Sequence, residues 1–155
     1  MDAEQALDDL LAGRVNPGVY QWTTRPAPDA DSGTSWRERA ERAGWRGFHL
    51  DGHHVRDKEA FLRLCAEVFD FPEWFGGNWD ALADCLADLS WTSARHSRVV
   101  LYESWPELAE AEPESFRTVL DVFADAVEVW RDTPTPMTVI LSSVGVEAEG
   151  VPRIA

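Results

Sequence analysis

The sequence predicts an α/β fold built on a parallel sheet, and two observations carry that expectation. From residue 48 onward, short runs of strand formers alternate with longer stretches of helical periodicity, the rhythm of βαβ units rather than of hairpins. Val99-Val100-Leu101-Tyr102 is apolar without alternation, as strands covered on both faces are, and Thr138-Val139-Ile140-Leu141 reads as a further buried strand. The core unit reads βααβααβ with right-handed crossovers. A strand nearer the N-terminus is free to add an edge, at a place the pattern does not fix.

The elements follow in order. Ala3, Ala6, Leu7, Leu10 and Leu11 repeat at helical spacing, so residues 3–11 read as a short amphipathic helix. Asn16-Pro17-Gly18 is a turn signal, and Val19-Tyr20-Gln21-Trp22-Thr23 after it is rich in strand formers. Prolines, aspartates, a serine and a glycine make residues 24–34 a loop. Ser35-Trp36-Arg37-Glu38 has the form of a capping box opening a helix to about Ala43. Phe48-His49-Leu50 is a strand closed by the turn Asp51-Gly52. Asp57 caps a helix through Phe69, with Phe61, Leu62, Cys65 and Val68 on its apolar face. A second helix runs from Asn78 to about Ser90 and leads to the strand at Val99–Tyr102. Ser104-Trp105-Pro106-Glu107 reads as another capping box with a short helix behind it. Pro113 sits well in the first turn of a long helix to about Trp130, with Phe116, Val119, Leu120, Phe123 and Val127 buried. The strand Thr138–Leu141 closes the unit, and residues 143–155, without periodicity, read as a flexible tail.

At 155 residues the chain suits one compact domain with an appendage. Three parts follow: an extension over 1–47, the alternating unit over 48–142, and the tail over 143–155. Net charge is −14, from 28 acids against 14 bases. It is unevenly spread: residues 1–47 carry eight acids and six bases, and the remainder carries the other twenty acids and eight bases. So acidic a chain is a poor ligand for nucleic acid or an anionic membrane, and a good one for a cationic protein. Cys65 and Cys85 lie in helical patterns beside apolar residues and read as small core residues, not a disulfide framework. The first residues lack a basic, apolar leader, and no segment approaches a membrane span, so the expected location is the cytoplasm.

The chemistry concentrates in residues 71–89. Phe71-Pro72-Glu73-Trp74-Phe75-Gly76-Gly77-Asn78-Trp79 is an aromatic loop with two glycines and an Asn helix cap. Beyond it Leu82, Cys85, Leu86 and Leu89 share one helix face, while Asp80, Asp84 and Asp88 share nearly the opposite one. Like charges four residues apart weaken a helix by about 0.2–0.5 kcal/mol per pair. Solvated faces normally mix bases with their acids, yet no base lies between Arg63 and Arg95. Only Asp80 has a structural reason, at the positive end of the helix dipole. Ala83 and Ala87 flank the carboxylates and keep the face low, the shape to enter a positive concavity. Trp74, Phe75 and Trp79 crowd the helix start. Part of that set belongs to a core, and an exposed aromatic ringed by acids is a binding hot spot. Asp121, Asp125 and Glu128 form a second acid set on the long helix; Arg117 can pair with Asp121, whereas Asp125 has no such neighbour.

Enzyme chemistry is poorly represented. His53 and His54 lack further ligands at metal-site spacing, so no metal is expected, nor any cofactor. No G-x-S-x-G, phosphate loop, HExxH or paired CxxC is present. Asp80 and Asp84 as the acid–base pair of a hydrolase would need surroundings that separate their roles, which an open face does not provide.

Pro72-Glu73-Trp74-Phe75-Gly76-Gly77-Asn78-Trp79-Asp80-Ala81-Leu82-Ala83-Asp84-Cys85-Leu86 resembles the central motif of the barstar family, cytoplasmic protein inhibitors of small secreted bacterial ribonucleases of the barnase type. The similarity continues through the helix at Thr118–Phe123 and ends at Thr138-Val139-Ile140-Leu141-Ser142, covering about residues 48–142. The resemblance implies a three-stranded parallel sheet flanked by helices; the first 47 residues have no counterpart in the short family members, and their own pattern leaves them free to add an edge strand and a short helix. It implies an inhibitor, not an enzyme, that plugs a nuclease active site with the acidic helix and its preceding loop, with bearing on bacterial immunity. Asp84 becomes the main anchor in the pocket for substrate phosphate, and Asp80 pairs with a nearby base. Trp74 packs on the enzyme's catalytic groups, Gly76 and Asn78 shape the contact loop, and Asp125 matches an acid on the later helix. Phe75, Trp79 and Ala83 complete the expected face, of a protein expected to be a monomer when free. Ala83 stands where relatives carry a bulky aromatic, and Gly77 and Val129 where they carry acids, so the resemblance names a class of target and not its identity. An acidic adaptor for another basic protein would use the same surface, and a carboxylate-dependent hydrolase would act without any partner.

Overall fold

The structure is a computed structural model that describes residues 3–23, 36–72, 76–89 and 97–154. In chain order the elements are α1 (Ala3–Leu11), β1 (Val19–Trp22), α2 (Trp36–Arg42), β2 (Arg46–Asp51), α3 (Lys58–Val68) and α4 (Trp79–Asp88). They continue with β3 (Arg98–Glu103), α5 (Pro106–Ala111), α6 (Pro113–Trp130) and β4 (Met137–Ser142). The strands form one sheet in the order β1-β4-β3-β2 with every pairing parallel. The sheet therefore has four strands where three were expected for the core unit. The fourth is β1, which lies outside β4 with Val19 opposite Val139 and Trp22 opposite Ser142.

Side-chain alternation along the strands sends alternate residues to two different layers. On one face Phe48, Leu50, Val100, Tyr102, Val139 and Leu141 meet Phe61, Leu82, Leu86, Val119 and Phe123 from α3, α4 and α6. On the other face Val99, Leu101, Ile140 and Trp22 meet Leu7 and Leu10 of α1 and Ala40 of α2. That second layer explains why β4 is buried at every position and β3 at every position but its last: the N-terminal segment covers the face that α3–α6 leave open. Burying Trp22, Leu7 and Leu10 contributes about 1.5–3 kcal/mol for each leucine-sized side chain, so this segment is integral to stability.

Local signals explain most element ends. Asp57 accepts the Ala60 N–H at 2.8 Å and starts α3 as its cap. Pro113 opens α6 in its first turn, where a missing N–H costs nothing. The expected capping box at Ser104 does not form. The Ser104 N–H bonds instead to the Ser142 carbonyl at 3.2 Å, and Glu107 turns away towards the β2–α3 loop. The box expected at Ser35 lies outside the described residues.

Residues 143–154 depart from the expected flexible tail, because β1 has a free edge that they satisfy. Gln21, buried in β1, donates to the Ala148 and Val151 carbonyls at 2.7 and 2.8 Å and accepts the Ala148 N–H at 2.7 Å. Backbone bonds from Gln21 N–H to the Pro152 carbonyl and from Ile154 N–H to the Gln21 carbonyl continue the ladder. An exposed parallel edge is thereby covered. Among the described residues, no helix is long and apolar enough to cross a membrane.

Candidate functional site

The acidic helix forms as its sequence dictates. Asn78, extended at φ −131°, accepts the Ala81 N–H on its side-chain oxygen at 2.7 Å and fixes the first turn of α4. Gly77 before it takes φ +68°, a left-handed conformation that strains any residue with a Cβ, so the loop enters the helix through a true glycine position. Gly76 has room for a Cβ, whose nearest neighbour would be Asn78 at 3.5 Å. Leu89 ends the helix in the left-handed region and returns its N–H to the Cys85 carbonyl at 3.1 Å.

Leu82, Cys85 and Leu86 bury the inner face of α4, and Trp130 of α6 ties its second half by donating from the indole to the Leu86 carbonyl at 2.7 Å. The helix is therefore clamped from within, and its outer face is free to meet a partner. Asp80, Asp84 and Asp88 are all exposed on that outer face, and among the described residues none of the three forms an ion pair or hydrogen bond. Ala87 is exposed and Ala83 half-buried, so nothing bulky rises between the carboxylates. Their field reaches inward: burial first, then the charges of Asp84 and Asp88, raises the pKa of the Cys85 thiol.

Trp79 is less free than an outward aromatic would be. Its ring is half-buried, 6.3 Å from the Phe61 ring, with the Lys58 ammonium 5.6 Å above it. The indole thus bridges the core and the surface at the first turn of α4. Gly76 and Asn78 are exposed beside it. Trp74 and Phe75 lie outside the described residues. Asp125 is exposed on α6, the helix that packs against α4. Near it Arg117 and Asp121 do not form their expected ion pair, Glu128 pairs with Arg131 at 3.2 Å, and Val129 is 53% exposed.

The arrangement can do one thing well. It holds three carboxylates at helical spacing on a packed support, without ion-pair partners among the described residues. Such a face, on a chain of net charge −14, is complementary in charge to a cationic surface. One constellation was not foreseen from the sequence. Glu107 of α5 comes up against His53 and His54 of the β2–α3 loop, a long-range contact that spacing alone does not reveal.

No curated protein matches the chain. Among solved structures, the fold is similar to that of the Aeropyrum pernix ORC2 protein in its ADPNP–ADP complexes, with a TM-score of 0.55 and 16% identity. That match covers 92% of this chain and 39% of the other, and at such low identity it is a likeness of fold alone. A family model described as "Barstar (barnase inhibitor)" matches residues 45–142, from the start of β2 to the end of β4 with α4 between them. Since that match spans more than half of the chain, the protein belongs to the barstar, or barnase inhibitor, family.

Proposed function

We propose that this protein inhibits a small basic ribonuclease of the barnase type by seating the outer face of α4, and the loop before it, in the nuclease's cationic active site. The observation that carries this reading is the row Asp80, Asp84 and Asp88: three exposed carboxylates without ion-pair partners among the described residues, on the central helix of a barnase-inhibitor family member. Carboxylates fixed on a helix stand in for substrate phosphates while presenting no bond that the enzyme can cleave.

In this reading Asp84 enters the phosphate pocket and Asp80 pairs with a base at its rim. Trp74, Phe75, Gly76, Asn78 and Trp79 line the contact on the N-terminal side of the helix, Ala83 leaves it open, and Asp125 extends it onto α6. Residues 48–142 form the recognition unit, and residues 1–47 stabilise it by covering the second sheet face. The free protein is a monomer in the bacterial cytoplasm, where it protects its host from a ribonuclease that the cell secretes or meets. The protein contributes no catalysis of its own. Titrating a barnase-type ribonuclease with this protein on an RNA substrate tests the reading: activity falls linearly to an equimolar end point. Full activity at excess inhibitor across a panel of such nucleases would reject it.

A further inference from the structure

The β2–α3 loop and the first turn of α5 meet at the end of the sheet, and none of the side chains that meet there belongs to α4. Three ligating side chains converge there from residues 53 positions apart in the chain. One ligand atom each from His53, His54 and Glu107 lies within 4.8 Å of the others. We propose that these three residues bind a divalent transition-metal ion of the zinc class.

The geometry follows from the backbone. Adjacent residues in extended chain point to opposite sides. His54 instead takes φ +65°, and this left-handed turn brings the two imidazoles side by side, with ring centroids 3.8 Å apart. The turn is held on both flanks. A Cβ on Gly52 would stand 2.5 Å from the Glu103 carbonyl, so glycine lets the loop pass close over the end of β3. The Gly52 N–H bonds to that same carbonyl at 2.9 Å, and the Val55 N–H closes back on the Gly52 carbonyl at 3.0 Å. The His53 N–H is taken by Asp51 at 3.1 Å.

Glu107 is aimed at the pair rather than at its own helix end. Its Oε2 accepts the His54 backbone N–H at 2.6 Å and lies 3.3 Å from His53 Nδ1. Its Oε1 accepts from Arg56 at 3.0 Å. The His54 N–H and the Arg56 guanidinium thus hold the carboxyl from both of its oxygens and orient it towards the two rings.

Two imidazoles and one carboxylate are the donors of zinc, nickel and copper sites, whereas calcium and magnesium want oxygen shells. Zinc bonds of about 2.0–2.2 Å need the three atoms to close further. His53 and His54 are exposed, so their rings can turn by rotamer, and with Arg56 on Oε1 the Oε2 atom, which already accepts the His54 N–H, keeps one lone pair for the cation. Three protein ligands leave a fourth position to water. A bound ion would fasten the β2–α3 loop to α5.

The proposal does not rest on the nuclease reading, and its test needs no nuclease. Tag-free, full-length protein is titrated calorimetrically with zinc chloride, and separately with magnesium chloride. The expected result is one zinc equivalent that millimolar magnesium does not displace. His53→Ala and His54→Asn, the latter chosen because Asn tolerates the left-handed turn, should each weaken zinc binding at least tenfold. Glu107→Gln should do likewise, and His49→Asn, at a histidine paired with Glu103 instead, should not. Zinc should raise the melting temperature of the wild type and of the His49 variant, each compared with its own metal-free form, and leave the His53 variant unmoved. Unchanged zinc affinity in both the His53 and the His54 variants would overturn the proposal. So would several weak equivalents that magnesium displaces, the behaviour of a diffuse acidic surface.

Discussion

Asp84→Ala should make this protein more stable and a worse inhibitor at once. Asp84 stands four residues from Asp80 and four from Asp88, all on the exposed face of α4. Its carboxylate therefore takes part in two like-charge pairs at i, i+4, each unfavourable by about 0.2–0.5 kcal/mol. Alanine also exceeds aspartate in helix propensity by about 0.7 kcal/mol. The substitution should stabilise the fold by about 1.1–1.7 kcal/mol, which raises the melting temperature by about 2–7 °C for a domain of this size. Binding moves the other way. If Asp84 is the carboxylate desolvated in the nuclease's basic pocket, its removal strands a buried cation and costs about 3–5 kcal/mol, or about 100- to 4,000-fold in Kd. Asp88→Ala makes the contrast. It also relieves repulsion, but it lies in the last turn beside the Leu89 cap, where a rim charge tunes association rate more than affinity. Thermal melts paired with calorimetric titration against the same nuclease measure both quantities. A lowered melting temperature for Asp84→Ala, or equal affinity losses for the two variants, would refute the reasoning.

The remaining expectations concern the support behind that face. Leu10→Ala, at a fully buried site between α1 and the second sheet face, should cost about 2–5 kcal/mol in chemical denaturation and leave the inhibition end point of the folded fraction unchanged. Deleting residues 1–44 is the harsher version: it uncovers Val99, Leu101 and Ile140 and bares the β4 edge, so light scattering should report self-association. Inhibition lost from a truncated protein that stays folded and monomeric would instead put the extension in the binding surface. Gln21→Ala should release the tail, because it breaks three side-chain bonds to Ala148 and Val151, and hydrogen exchange should quicken over residues 148–154 before anywhere else. Unchanged protection there would mean that the backbone ladder from 152 to 154 holds the tail alone.

What the sequence revealed of this protein depended on the range of the interaction. Asn78, Asp57 and Pro113 act within a turn of their own position, so the starts of α4, α3 and α6 were legible from residue type and spacing. The unbroken apolar run of β3 gave away two covered faces, though not which elements cover them. The place of β1 was illegible, because Val19 pairs with Val139 across nearly the whole chain and a four-residue strand names no partner. The tail misled for a related reason: its anchor is one buried glutamine far upstream, and its own residues show no period. The box at Ser104 failed because Ser104 takes φ +57° instead of the extended backbone of a cap, and its N–H, which Glu107 would have bonded, goes to Ser142 of β4, leaving Glu107 to meet the histidines. At the acidic face, helical period separated Leu82, Cys85 and Leu86 from the aspartates correctly. Trp79 divides between the two roles, since its ring leans on Phe61 while it opens the exposed helix.

The most direct test of the central claim is the inhibition end point itself. A barnase-type ribonuclease at a fixed concentration well above the expected Kd is titrated with the full-length protein, and residual cleavage of an RNA substrate is followed. The account predicts a straight decline that reaches zero at one inhibitor per nuclease, and a binding rate that falls as salt is raised, as charge steering requires. Undiminished cleavage at a large excess of this protein, with several such nucleases and at low salt, would contradict it.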